Sequence, residues 1–110
     1  MIAFELFELT QQRADSGEMW LEFFRAQSKS LSMGLYVIPS GGTDPQSPHS
    51  EDEIYYVVGG RGKIQVKHEA HNLQSGSILF VAANDEHHFH SVEEELSVIV
   101  FFAPAEYTNQ

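Results

Sequence analysis

"SPHSEDEIYYVVGGRG", residues 47–62, sets one histidine and three acids against a run of aromatic and β-branched residues and closes in glycines. The run Ile54-Tyr55-Tyr56-Val57-Val58 has the composition of a strand. Carboxylates and imidazole are costly to bury, so their crowding at the head of such a strand needs a reason. In an extended chain successive side chains alternate between two faces. From residue 49 onward, His49, Glu51, Glu53, Tyr55 and Val57 then share one face, and Asp52, Ile54, Tyr56 and Val58 take the other. One face therefore carries a histidine and two carboxylates leading into apolar residues, an arrangement suited to a polar site at the mouth of an apolar barrel.

Working outward, period-two patterning recurs and no helical period stands out. "SLSMGLYVI" alternates Leu31, Met33, Leu35 and Val37 with small or amphipathic residues, and "KIQVK" places Ile64 and Val66 opposite three polar residues. "SILFV" and "LSVIVFF" read as more fully buried strands, and "MWLEFFR" as a strand apolar on both faces. The opening "AFELFEL" fits a strand or a short amphipathic turn and is taken as a strand. Loops fall at "PSGGTDPQSP", in "HEAHNLQSG" and at "AANDEH", and "GGRG" reads as a tight turn between two strands. The run Glu93-Glu94-Glu95 reads as a solvated turn. Short strands with regular punctuation predict an all-β sandwich or small barrel.

Length and charge narrow the function. At 110 residues there is room for one domain, 1–110, with one core. Sixteen acidic residues against six basic ones give a net charge of −10, which repels phosphate backbones and anionic lipid, so neither nucleic acid nor membrane is an expected partner. No apolar run approaches the roughly 20 residues that span a bilayer. Cysteine is absent, which excludes disulfides and thiol chemistry. "MIAFELFELT" lacks the basic start and small-residue cleavage site of a secretory signal, so a cytoplasmic protein is expected.

A second polar cluster, "NDEHHFHS", puts His87 and Phe89 on one face and His88 and His90 on the other. Imidazoles and carboxylates brought together across rigid strands supply the lone pairs of a metal site. The plainer readings are a hydrogen-bonded His49–Glu53 pair without metal, a surface His87, and solvated loop acids at Glu51 and Asp52.

Together the two clusters resemble the paired motifs of the cupin superfamily, small barrels built as a double-stranded β-helix, or jelly roll. The first motif reads G-x5-HxH-x3,4-E-x6-G. Three residues separate His49 from Glu53, and "IYYVVG" leads from Glu53 to Gly60. The second motif reads G-x5-PxG-x2-H-x3-N. Gly76 and His87 match it in spacing, with Ala82, Asn84 and Ser91 at its proline, glycine and asparagine positions. The resemblance implies a small single-domain cupin with N-terminal strands over about 1–38, motif 1 at 42–62, motif 2 at 76–91 and a C-terminal strand at 96–103. It implies a divalent metal (Fe, Zn, Mn or Ni) on His49, Glu53 and His87.

Ser47 stands where the family has its first histidine, so one of the usual four ligands is missing, and Glu51 and Gln46 are candidate replacements. Tyr55 and Phe89 are expected to line the barrel or its pocket. The implied function is that of a small metal-binding protein, dioxygenase-like, acting on a small organic molecule. The alternative is a non-catalytic binding or sensing module. The family also implies a homodimer, with "AFELFEL" and "MWLEFF" offering apolar edges.

Overall fold

The computed structural model describes residues 1–45 and 48–109. Its elements are α1 (Leu6–Ser16), β1 (Trp20–Arg25), β2 (Ser32–Ile38), β3 (Asp52–Val66), β4 (Glu69–Leu73), β5 (Ile78–Val81) and β6 (His87–Ala103). The strands are antiparallel in the order β1-β2-β6-β3-β4, with β5 added against β3. The architecture is a β-barrel, as the alternation predicted, of the jelly-roll form that the cupin resemblance implied. No helix among the described residues is long and apolar enough to cross a membrane.

Two long strands organise the barrel. β3 and β6 pair from Asp52↔Ala103 at one end to Val66↔His87 at the other, so the two polar clusters lie on the two longest strands. Their ladder slips between Val57 and Lys63, where bulges bend the pair. "GGRG" lies inside this bend. It is therefore not a turn between two strands, as its glycines suggested, but a kink within one. Gly60 has φ +96, and a Cβ there would strike the backbone carbonyl of Glu95 on the facing strand. Glu93, Glu94 and Glu95 are exposed as expected, but they belong to β6 rather than to a turn.

The opening segment is a helix, not a strand. Alternation across "AFELFEL" covers too short a window to decide. The polar run "TQQRADS" that follows carries the helix on to Gly17, whose φ of 73 and N–H bond to Ala14 O cap it. Helix α1 seals one side of the sheet by packing Leu9 onto Leu35 and Val37, with Phe23 and Ile99 around them. β5 is less buried than its sequence suggested: Val81 points inward, whereas Ile78 and Phe80 are exposed. They stand beside Tyr56 and Ile54 of β3 in register, giving two apolar rows on the outer face.

The interior is filled from the inward faces of all the long strands. Tyr55, Val57 and Ile64 of β3 meet Phe89, Leu96, Val98, Val100 and Phe102 of β6, with Tyr36 and Ile38 of β2. Among the described residues, Glu51, Glu53 and His87 are polar side chains nearly sealed from solvent, as are Ser32 and Glu106.

Candidate metal centre and its cavity

His49 precedes β3 and is held in place by its backbone, whose carbonyl accepts a 2.7 Å bond from Asn84 N in the turn between β5 and β6. Ala83 N in the same turn donates to Asp52 Oδ1 at 2.9 Å. These bonds bring the end of the second motif against the start of the first. Glu53 then points inward from β3 and His87 from the first position of β6.

One ligand atom from each of His49, Glu53 and His87 lies within 4.8 Å of the other two. His87 Nε2 stands 3.0 Å from Glu53 Oε2, and His49 Nδ1 stands 3.3 Å from Glu53 Oε1. Despite these separations, His49 Nδ1, Glu53 Oε1 and His87 Nε2 are buried and make no aligned hydrogen bond among the described residues. Buried polar atoms are nearly always paired, so three orphans facing one another call for a missing partner.

The groups behind the three ligands fix which atoms face inward. His87 Nδ1 lies 2.8 Å from the carbonyl oxygen of Asp85, which can only accept, so Nδ1 carries the proton and the neutral ring turns its Nε2 lone pair inward. His49 Nε2 lies 2.9 Å from Glu106 Oε2, and donation to that carboxylate leaves the Nδ1 lone pair facing Glu53. Tyr55 OH donates to Glu53 Oε2 at 3.0 Å and leaves Oε1 as the orphaned oxygen. With both rings neutral, acceptor lone pairs converge on one point. A proton or a metal ion relieves that arrangement.

Both imidazoles respond to these charges. Burial pulls the His49 pKa down, but the Glu106 hydrogen bond and the charges of Glu53 and Glu106 outweigh it and leave the group above its ordinary value. For His87, burial is likewise outweighed by Glu53 and the Asp85 carbonyl. The set fits a metal ion: two imidazoles and one carboxylate, each with an unshared lone pair and each oriented from behind.

Glu51, the residue before β3, is buried too, but it does not join the three. Its carboxylate accepts from Ser50 Oγ at 2.6 Å, Tyr107 N at 3.1 Å and Asn109 N at 3.0 Å, so its lone pairs are taken by the C-terminal segment. Gln46 and Ser47 lie outside the described residues. Tyr55 and Phe89 belong to the core behind the site, with ring centroids 5.1 Å apart, rather than to a cavity wall. His88 and His90 point away, as their alternation with His87 requires, and their rings lie tilted to each other with centroids 5.4 Å apart.

Glu106 went unread in the sequence. A lone acid in "APAEYTNQ", past the last strand, carries no spacing signal toward His49. It reaches the site because the chain folds back after β6: Ala105 N bonds Lys29 O, and Glu106 N bonds Ser32 Oγ.

A cavity of about 320 Å³ opens beside His49. Its walls include Trp20, Tyr36, Phe102 and Tyr107, together with Glu18 and Glu106. The Trp20 indole lies across Gly34, where any Cβ would collide with the ring. The Tyr36 hydroxyl donates to Asp44 Oδ1 at 2.6 Å, and Asp44 Oδ2 accepts from Phe89 N at 2.8 Å, which ties the loop after β2 to β6. Burial, together with Asp44, pushes the Tyr36 phenol well above its ordinary pKa.

The family model of the cupin domain matches residues 34–103. The chain belongs to the cupin domain family. An uncharacterized protein of Streptomyces coelicolor is 42% identical to this cupin over 106 residues, covering 96% of this chain and 99% of that protein. A cupin 2 conserved barrel domain protein from Rhodopseudomonas palustris is similar in structure with a TM-score of 0.70 at 15% identity, over 79% of this cupin and 61% of that chain. A DMSP lyase from Ruegeria pomeroyi is similar with a TM-score of 0.68 at 20% identity, over 82% of this cupin and 49% of the lyase. This cupin spans about half the length of the lyase, and its likeness to both structures is one of fold.

Proposed function

We propose that this cupin is a small metal-dependent enzyme of dioxygenase-like type, acting on a small organic molecule held in the cavity beside His49. The observation that carries the reading is the trio of buried, unpaired ligand atoms on His49, Glu53 and His87. Bound there, a divalent ion would supply Lewis-acid chemistry or, as iron, redox chemistry, and a three-ligand set leaves positions for small molecules. The chain's own residues do the rest. Glu106 and the Asp85 carbonyl hold the imidazole protons on the nitrogens facing away from the centre, and Tyr55 fixes the Glu53 carboxylate. Trp20, Tyr36 and Phe102 form an apolar wall that displaces water around a bound molecule.

The test is oxygen uptake by protein reconstituted anaerobically with iron, against a panel of small organic compounds. Uptake that depends on both the compound and Glu53 supports the reading. Stoichiometric metal with no uptake across the panel turns it toward the second class, a binding or sensing module with a structural metal. One observation favours that second class: of the three ligands, His49 alone lines the cavity among the described residues. A homodimer belongs to the same proposal, supported by the paired apolar rows at Ile54, Tyr56, Ile78 and Phe80. Light scattering of the full chain tests it, and a monomeric mass contradicts it.

A further inference from the structure

We propose that the cavity beside His49 is selective for small organic cations, alkylammonium or quaternary ammonium compounds. The inference rests on reading this cavity as the ligand site and adds the chemical class it takes.

Four aromatic rings, Trp20, Tyr36, Phe102 and Tyr107, contribute to the walls. Trp20 meets Tyr36 and Phe102 edge-on, with centroids 6.3 and 6.0 Å apart. Aromatic faces carry negative potential and attract a cation within about 6 Å of the ring centre, tryptophan most strongly. Two acidic residues are among the lining: Glu106, beside His49, and Glu18, which is exposed. A third, Asp44, accepts the Tyr36 hydroxyl from behind and adds negative charge to that wall.

No lysine or arginine lines the cavity among the described residues. Arg25 feels the charge of Glu106, but its guanidinium is held by both oxygens of Glu22, at 2.6 and 3.3 Å, and lies outside the lining. Glu18 forms no ion pair among the described residues, so its charge is available to a ligand. An anionic ligand would meet these acids with no lysine or arginine at the walls to offset them. A neutral apolar ligand would suit the rings but leave the Glu18 charge unanswered, while Glu106 has only the His49 ring against it. A compact cation answers both, and the net charge of −10 enriches cations around the whole molecule. The volume of about 320 Å³ sits at the small end of ligand pockets, which excludes bulky amines.

The chain has one tryptophan, and it is in the cavity wall, so its fluorescence reports occupancy directly. The full-length protein is titrated with choline, with dimethylbutanol (its uncharged carbon isostere) and with acetate, each in metal-free and zinc-loaded forms. The expected result is a saturable Trp20 response to choline, with the isostere about tenfold weaker. Glu18→Gln should weaken choline several-fold and leave the isostere unchanged, and its circular dichroism should match wild type because Glu18 is exposed between elements. No saturable choline response, an isostere that binds as well as choline, or acetate binding more tightly than choline overturns the inference. Metal content is measured on the same samples. A cation-selective cavity in protein that takes no metal contradicts the metal reading alone, and a metal-loaded protein blind to charge contradicts the cavity inference alone.

Discussion

Glu51 and Glu53 are two residues apart on one face of the same segment, and each is only 1% exposed. From alternation they are interchangeable. The structure treats them in opposite ways. Glu51 receives a hydroxyl and two backbone N–H groups, all neutral donors, and these hydrogen bonds outweigh its burial and hold its carboxyl below the ordinary range. Glu53 receives one phenol on Oε2 and faces two imidazoles with Oε1 unpaired. A buried carboxylate saturated by donors is a structural anchor, here for the C-terminal segment. A buried carboxylate left short of donors and opposed by other acceptors could hold a metal ion.

That contrast can be broken most forcefully at Glu53. Glu53→Gln exchanges an anionic ligand for a neutral one of the same shape and should lower metal affinity by at least about a hundredfold. Competition with a chromophoric chelator reads it, and an affinity equal to wild type removes Glu53 from the site. Glu106→Gln should cost about tenfold or more in the same assay, because His49 loses the charge that orients and polarises it. An unchanged affinity would show that Glu106 serves only the cavity.

Glu51→Gln should do the reverse of Glu53→Gln. Metal stoichiometry persists, while denaturant unfolding shows a loss of about 1–3 kcal/mol, since the new amide N–H groups meet backbone donors. The sign with pH follows from the depressed carboxyl. The stability that ionised Glu51 contributes is present above its ordinary pKa of 4.5 and is lost as pH falls through the lower folded value, so wild type and variant should converge in acid.

The histidines run the other way. Their folded pKa values are raised, so protonation stabilises the metal-free fold fully below the unfolded value of about 6.5, and that contribution fades as pH rises through the folded values. Metal requires the neutral rings, so affinity should climb over the same window, with proton release visible by calorimetry in two buffers. A flat profile would place the metal elsewhere. His88→Ala should leave metal content unchanged, since that ring points outward.

Much of this was legible from patterning because strands impose a period of two on every half-buried segment. His49, Glu53 and His87 stood out because motif spacing and face alternation agreed on them. Three features were not legible. Helix α1 begins in a stretch that alternates like a strand, and its identity rests on the polar run Thr10–Ser16 that follows and on the Gly17 cap. Glycine marks both turns and kinks, so "GGRG" gave no way to tell a chain reversal from the bulged bend of β3. The environments of Glu51 and His49 depend on Glu106, Tyr107 and Asn109, which return to the site from past the last strand, and no local pattern announces such a contact.

The most direct test of the metal centre is elemental analysis of untagged protein purified without chelators or nickel resin, beside a His49→Ala, His87→Ala variant. The account predicts near-stoichiometric divalent metal in wild type, or full uptake on anaerobic addition of iron or zinc, and none in the variant. Equal metal content in the two proteins, or no uptake by wild type, would contradict it.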